Sequence, residues 1–212
     1  GFLYIGTGNG LSIYGGDKFT QASIKEGLAD NFVTSTYQDN KNMTWIGHFQ
    51  NGVSFYTNGH FGQMVNSMLS TVKVNRIIGD NRGYVFALSA GLGIVQLLDT
   101  VTEKKLDIND ELILDAYIHN NHYYIATPEG LKLYTYINQK FVPVELPPVL
   151  GKDKCTRVIK SETTDDYFCA ISGIGIVWFK SSGEKIQIVR IFSQKDLKSD
   201  AQIKDMVIDR SN

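Results

Sequence analysis

A motif that returns about every forty residues constrains this chain more than any other feature. Tyr4-Ile5-Gly6-Thr7-Gly8-Asn9-Gly10-Leu11-Ser12-Ile13-Tyr14 reappears as Trp45-Ile46-Gly47-His48-Phe49-Gln50-Asn51-Gly52-Val53-Ser54-Phe55-Tyr56. Weaker copies follow. Val85-Phe86-Ala87-Leu88 leads to Gly93-Ile94-Val95, Tyr124-Ile125-Ala126-Thr127 to Gly130-Leu131-Lys132-Leu133-Tyr134, and Phe168-Cys169-Ala170-Ile171 to Gly175-Ile176-Val177-Trp178-Phe179. The anchoring glycines Gly10, Gly52, Gly93, Gly130 and Gly175 are 42, 41, 37 and 45 residues apart. Such a period, with no helical pattern inside it, matches a four-stranded propeller blade. Ankyrin and tetratricopeptide units are shorter and helical.

Each unit reads as four strands. The first is a β-rich stretch such as Val33–Tyr37 or Val74–Ile78, followed by a turn such as Asp39-Asn40-Lys41-Asn42 or Asp80-Asn81-Arg82-Gly83. The second carries an apolar pair and then a small residue: Gly6, Gly47, Ala87, Ala126 or Ala170. A small side chain at a fixed place suits close sheet-to-sheet packing. The third strand alternates apolar and polar residues, as in Leu131-Lys132-Leu133-Tyr134, which is a period of two. Turns such as Asn58-Gly59-His60 lead to the outer strand, and Gly and Asn there permit positive φ.

The register implies an all-β fold, a β-propeller of about five four-stranded antiparallel blades in a single domain. The chain opens at a second strand near Phe2, and full units follow at 32–62, 72–107, 111–145 and 155–189. Ile203–Asp209 reads as a first strand, so a blade assembled from 1–24 with 203–210 would close the ring; a cut through a larger propeller has the same register. The polar connection from Phe192 to Gln202 reads as a loop or one helical turn. The abrupt start at Gly1 reads as a tag remnant or a cut from a longer protein.

Composition agrees. Twenty glycines, four prolines and 11% aromatics suit short strands joined by tight turns. Twenty-one basic residues face twenty-two acidic ones, which leaves no excess positive charge to hold a nucleic-acid backbone. The apolar runs are too short for a membrane helix, so no membrane contact is expected of this segment, and no secretory leader is visible at its start.

The best copy supports a resemblance. Gly27-Leu28-Ala29-Asp30-Asn31-Phe32-Val33, then Asp39, then Thr44-Trp45-Ile46-Gly47, then Asn51-Gly52-Val53-Ser54-Phe55-Tyr56 resembles the two-component regulator propeller repeat, and Tyr4-Ile5-Gly6-Thr7 is a half-match. The resemblance implies the periplasmic or extracellular sensor region of a bacterial hybrid two-component system, often carbohydrate-responsive and usually seven-bladed. The chain would then be one piece of such a propeller, with an oligosaccharide or other small ligand and a second copy in a homodimer as its expected partners.

Candidate sites are sparse. His119-Asn120-Asn121-His122 and Asp39-Asn40-Lys41-Asn42 read as hairpin turns, not metal sites. The first lacks a nearby carboxylate or thiol, and the second places a lysine where an oxygen ligand belongs. Neither metal nor cofactor is expected. Cys155 and Cys169 fall in one hairpin but not clearly opposite each other, which favours free thiols over a disulfide. The loops between second and third strands usually face the ligand side of a propeller. They supply the ligand-binding candidates Asn9, His48, Phe49, Gln50 and Glu129. His48-Phe49-Gln50 departs most from the repeat, and an aromatic flanked by hydrogen-bonding groups suits a sugar ring. No nucleophile or phosphate-loop motif appears, so no catalytic residue is assigned. The leading expectation is a non-enzymatic sensing domain. A propeller hydrolase or lyase drawing on His48, Glu129 and Asp30, or a protein-interaction scaffold, are the alternatives.

Overall fold

The computed structural model describes residues 1–110, 112–198 and 202–209. The chain divides into two compact units, Gly1–Leu112 and Ile113–Asn212. Every sheet is an antiparallel meander, so each strand pairs with its neighbour in sequence.

Unit 1 holds three sheets. Sheet 1 comprises β1 (Phe2–Thr7), β2 (Gly10–Gly15) and β3 (Lys18–Ala22); sheet 2 comprises β4 (Val33–Gln38), β5 (Thr44–His48), β6 (Val53–Thr57) and β7 (His60–Gln63). Sheet 3 comprises β8 (Val74–Gly79), β9 (Val85–Ser89), β10 (Gly93–Leu97) and β11 (Glu103–Lys105). Unit 2 holds two. Sheet 4 is β12 (Asp115–His119), β13 (His122–Thr127), β14 (Gly130–Ile137) and β15 (Lys140–Val144). Sheet 5 is β16 (Cys155–Lys160), β17 (Asp166–Ile171), β18 (Gly175–Ser182) and β19 (Lys185–Ser193). A four-residue helix, α1 (Pro148–Gly151), joins them.

The repeat positions now have physical reasons. All five anchor glycines have positive φ, between 75° at Gly52 and 136° at Gly130. A Cβ there would also strike backbone, 2.3 Å from the Ala22 carbonyl at Gly10 and 2.1 Å from that of Phe192 at Gly175. Both conditions exclude other residues. The small residue of the second strand is set by the next sheet. A Cβ on Gly6 would lie 2.7 Å from Val33 Cγ1, and one on Gly47 2.8 Å from Val74 Cγ1. The turns are built by aspartate: Asp39 Oδ1 accepts from the amides of Lys41 and Met43, and Asp80 Oδ1 from those of Arg82 and Tyr84. His119 and His122 flank a two-residue turn with Asn120 at φ 53°.

Apolar faces are buried between successive sheets within each unit. Leu11, Ile13, Leu28, Val33 and Ile46 fill the space between sheets 1 and 2, and Trp45, Val53, Leu69, Val74 and Ile77 that between sheets 2 and 3. In unit 2 the filling is more aromatic, with Tyr124, Tyr167 and Phe179 between sheets 4 and 5. Cys155 and Cys169 lie in this core as free, buried thiols. Burial, and then the neighbouring Cys155, push the Cys169 thiol well above its ordinary value.

Among the described residues, the blade assembled from 1–24 with 203–210 is not formed. Sheet 1 has three strands, and residues 203–209 form none; residue 210 lies outside the described residues. Side-chain bonds to β16 hold the segment instead of a backbone ladder. Thr156 Oγ1 donates to the Ile203 carbonyl at 2.8 Å, and Asp205 pairs with Arg157. The same hydroxyl-to-carbonyl bond joins neighbouring first strands in unit 1, from Thr34 Oγ1 to Val74. The segment thus lies beside β16 as β8 lies beside β4. Its preceding connection begins with turns over 194–198, and Asp200 lies outside the described residues.

Candidate functional site

The register places the useful loops at one end of each sheet. In sheet 2, Val33 pairs with His48 and Ser54 with Gln63. The 49–52 loop therefore shares an end with the connections on either side of the sheet, 23–32 and 64–73. The hairpin turns lie at the other end.

At the tip of β1 in sheet 1, Thr7 Oγ1 donates to the Gly10 carbonyl and accepts from the Asn9 amide. Thr127 makes the same two bonds, to Gly130 and from Glu129. Ser89 donates to the Gly93 carbonyl. His48 stands in this capping position in sheet 2, and it does not cap. Its ring is fully buried, with Nε2 2.8 Å from Ser54 Oγ, which also accepts from the Ala29 amide at 2.8 Å. Among the described residues Nδ1 makes no hydrogen bond of good geometry. Burial lowers the His48 pKa from 6.5 to about 4, against the smaller opposing pull of the Asp30 charge and the Phe32 carbonyl. The imidazole is therefore neutral at physiological pH. The structure places His48 in the interior, where its size and its bond to Ser54 shape the loop.

That loop is held from outside by Asp30. Its Oδ2 accepts from the Gln50 amide at 2.9 Å and its Oδ1 from the Phe32 amide at 3.1 Å. The Phe49 amide donates to the Phe32 carbonyl at 3.0 Å, and Asn51 adopts φ 62°. These bonds present two rings side by side. Phe32 and Phe49 have centroids 5.2 Å apart and are 48% and 43% exposed. Lys73 Nζ lies 5.1 Å from the Phe49 centroid, a cation–π distance. Phe32 also faces the neighbouring loop, where a Cβ on Gly8 would lie 3.6 Å from its ring.

Of the sequence candidates, Phe49 and Gln50 thus share a site with Asp30, and Asn9 is exposed in the adjoining loop. Glu129 belongs to unit 2, where it pairs with Lys132 at 3.1 Å in its own turn. Phe32 and Lys73 were not among the candidates. Phe32 sits in a motif that reads as structural, and Lys73 is an ordinary surface lysine until the fold sets it over Phe49.

The opposite end of unit 1 carries a cleft of about 440 Å³ between sheets 2 and 3, lined by Lys41, Trp45, Arg82, Tyr84 and Asp99 among others. Arg82 bonds Asp80 at 2.8 Å and lies over Tyr84.

No protein-family model matches the chain, and no curated protein matches it in sequence. Solved structures do resemble it. The extracellular domain of a hybrid two-component system from B. thetaiotaomicron aligns over 90% of this chain and 27% of its own, with a TM-score of 0.69 and 16% identity. PorZ, a surface component of the type-IX secretion system of Porphyromonas gingivalis, aligns over 92% of this chain and 33% of its own, with a TM-score of 0.73 and 15% identity. Virginiamycin B lyase from Staphylococcus aureus aligns over 86% of this chain and 63% of its own, with a TM-score of 0.62 and 14% identity. The chain spans about a third or less of the first two. The fold is that of a β-propeller, and extracellular domains of hybrid two-component systems are among its structural neighbours. No described helix is long and apolar enough to cross a membrane.

Proposed function

We propose that this chain is a ligand-binding part of an extracellular or periplasmic sensing region in a bacterial two-component system. Its ligand is an oligosaccharide or a similarly polar small molecule, and it binds without being turned over. The observation that carries this reading is the exposed Phe32–Phe49 pair on the loop end of unit 1, with Lys73, Gln50 and Asn9 around it. A flat apolar surface ringed by donors and acceptors suits the faces and hydroxyls of a sugar. The structural neighbours that are extracellular domains of two-component systems support the setting.

The lyase neighbour raises an enzymatic reading, which the site does not favour. Its histidine is buried and bonded to Ser54, and both Asp30 oxygens are occupied by backbone amides. A general acid or base must reach the proton it moves.

Thermal-shift screening against neutral and acidic oligosaccharides tests the proposal. One sugar class should raise the melting temperature, by about 2.7 kcal/mol of stabilisation at a hundredfold excess over Kd. Phe49→Ala should abolish the shift and Tyr84→Ala should preserve it. The reverse pattern would move the site to the cleft at the other end, and appearance of a cleaved product would replace sensing by catalysis.

A further inference from the structure

Three turns meet around the cleft at the hairpin end of unit 1: 39–43 of sheet 2, and 80–84 and 98–102 of sheet 3. Asn40 and Gly83 touch and close one wall, since a Cβ on Gly83 would lie 2.7 Å from Asn40 Nδ2. The floor is apolar. Trp45 of sheet 2 faces Val85 and Leu97, a cross-strand pair of sheet 3, and all three belong to the core between the sheets. The Trp45 indole N–H donates to Asp39 Oδ2 at 3.0 Å, which orients the ring. Leu98 and Tyr84 stand at the mouth, 49% and 47% exposed. The volume of about 440 Å³ is that of a small-molecule site.

The charged groups around this floor are not equivalent. The carboxylates serve their own turns. Asp39 accepts from the Lys41 and Met43 amides and from the indole. Asp80, behind the rim, accepts from the Arg82 and Tyr84 amides and from the Arg82 guanidinium. Asp99 accepts from the Val101 and Thr102 amides. The cations face the opening. Lys41 is exposed on its turn and carries three ammonium donors. Its charge reaches across to sheet 3: after the Val101 and Thr102 bonds, it helps to hold the Asp99 carboxyl below its ordinary value. Arg82 lies over the Tyr84 ring, 5.1 Å from its centroid, and adds a second positive charge on the other side.

We propose that this cleft binds an amphipathic organic anion, an apolar body one or two rings wide that carries a single carboxylate. The body covers the floor of Trp45, Val85 and Leu97 between Leu98 and Tyr84. The carboxylate takes charge-assisted bonds from Lys41, with Arg82 as the second cation. The site lies at the opposite end of unit 1 from Phe32 and Phe49, and it stands whether or not a sugar binds there.

Isothermal titration calorimetry of the full chain tests it, with naphthylacetate and its neutral isostere naphthylacetamide as probes. The acid should bind saturably at one molecule per chain, at least about tenfold more tightly than the amide. Lys41→Met should bring the acid down to the affinity of the amide and leave the amide unchanged, a split that a loosened turn would not produce. Leu98→Asp should abolish binding of both, and Phe49→Ala should alter neither. Circular dichroism checks the fold of each variant, and all three side chains are exposed. Absence of saturable binding overturns the proposal. An amide that binds as tightly as the acid does so as well, and so does acid binding that survives Lys41→Met. Loss of binding in Phe49→Ala would place the probe at the loop end and overturn it too.

Discussion

Sheets 2 and 5 descend from one pattern and keep different parts of it. Both retain the anchor glycine at positive φ, 75° at Gly52 and 121° at Gly175. Both tie an indole N–H to an aspartate at or beside the first hairpin turn, Trp45 to Asp39 at 3.0 Å and Trp178 to Asp166, the first residue of β17, at 2.7 Å. The tryptophans differ in place: Trp45 lies on the second strand in the core, whereas Trp178 lies on the third and stacks on Phe168. Their buried polar groups differ as well. Sheet 2 hides His48 beside Ser54 at a loop end. Sheet 5 hides Arg157 on its first strand, 2.9 Å from Asp115 of sheet 4. Positions ruled by backbone geometry persist, because few residues satisfy a positive φ. Positions ruled by packing drift, because many side chains of suitable volume fill a core.

Removing each sheet's own polar device sharpens the contrast. The largest effect is expected in unit 2. Asp115→Ala leaves the nearly buried Arg157 without its interior partner and the Val158 amide without an acceptor, at a cost of about 3–5 kcal/mol in urea denaturation. An effect below that of an exposed pair would show that Asp205 alone satisfies the guanidinium.

The His48 effect comes next and depends on pH. Its folded pKa, about 4, lies below the ordinary 6.5, so between these values the unfolded chain binds more protons. Stability is therefore complete above about pH 6.5 and falls as pH drops towards 4, by about 3 kcal/mol. His48→Asn should flatten that part of the pH–stability curve, even if its plateau is lower. A curve of unchanged slope would remove the assignment.

The smallest effect separates the two anchors. Alanine at either is strained by about 1–3 kcal/mol. A Cβ at Gly175 would lie 2.1 Å from the Phe192 carbonyl oxygen, against 2.8 Å from that of Leu69 at Gly52. Gly175→Ala should therefore lower the melting temperature more than Gly52→Ala, and equal losses would mean that φ alone decides.

The sheets were legible in the chain because their determinants are local and repeated. An alternating run such as Leu131–Tyr134 and a glycine at a fixed offset announce a third strand without knowledge of the fold. The site was legible only in part. Phe49 and Gln50 stand out because they break the repeat in a loop. His48 breaks it too, but no local signal says that its ring turns inward to Ser54. Lys73 meets Phe49 across sheets, and such pairings between separate units of a repeat leave no mark on either segment. The tail over 203–209 shows the converse. Its alternation suits a strand, but a strand also needs a partner edge, and its recorded bonds run through Thr156 and Arg157 side chains instead.

The anchor glycines carry an evolutionary corollary. Each lies where an added Cβ would meet neighbouring backbone as a loop re-enters its sheet, so the course of the chain at that junction is set by glycine and not by the residues that precede it. A lineage of such chains is thereby free to diversify one surface rapidly while its scaffold stands still.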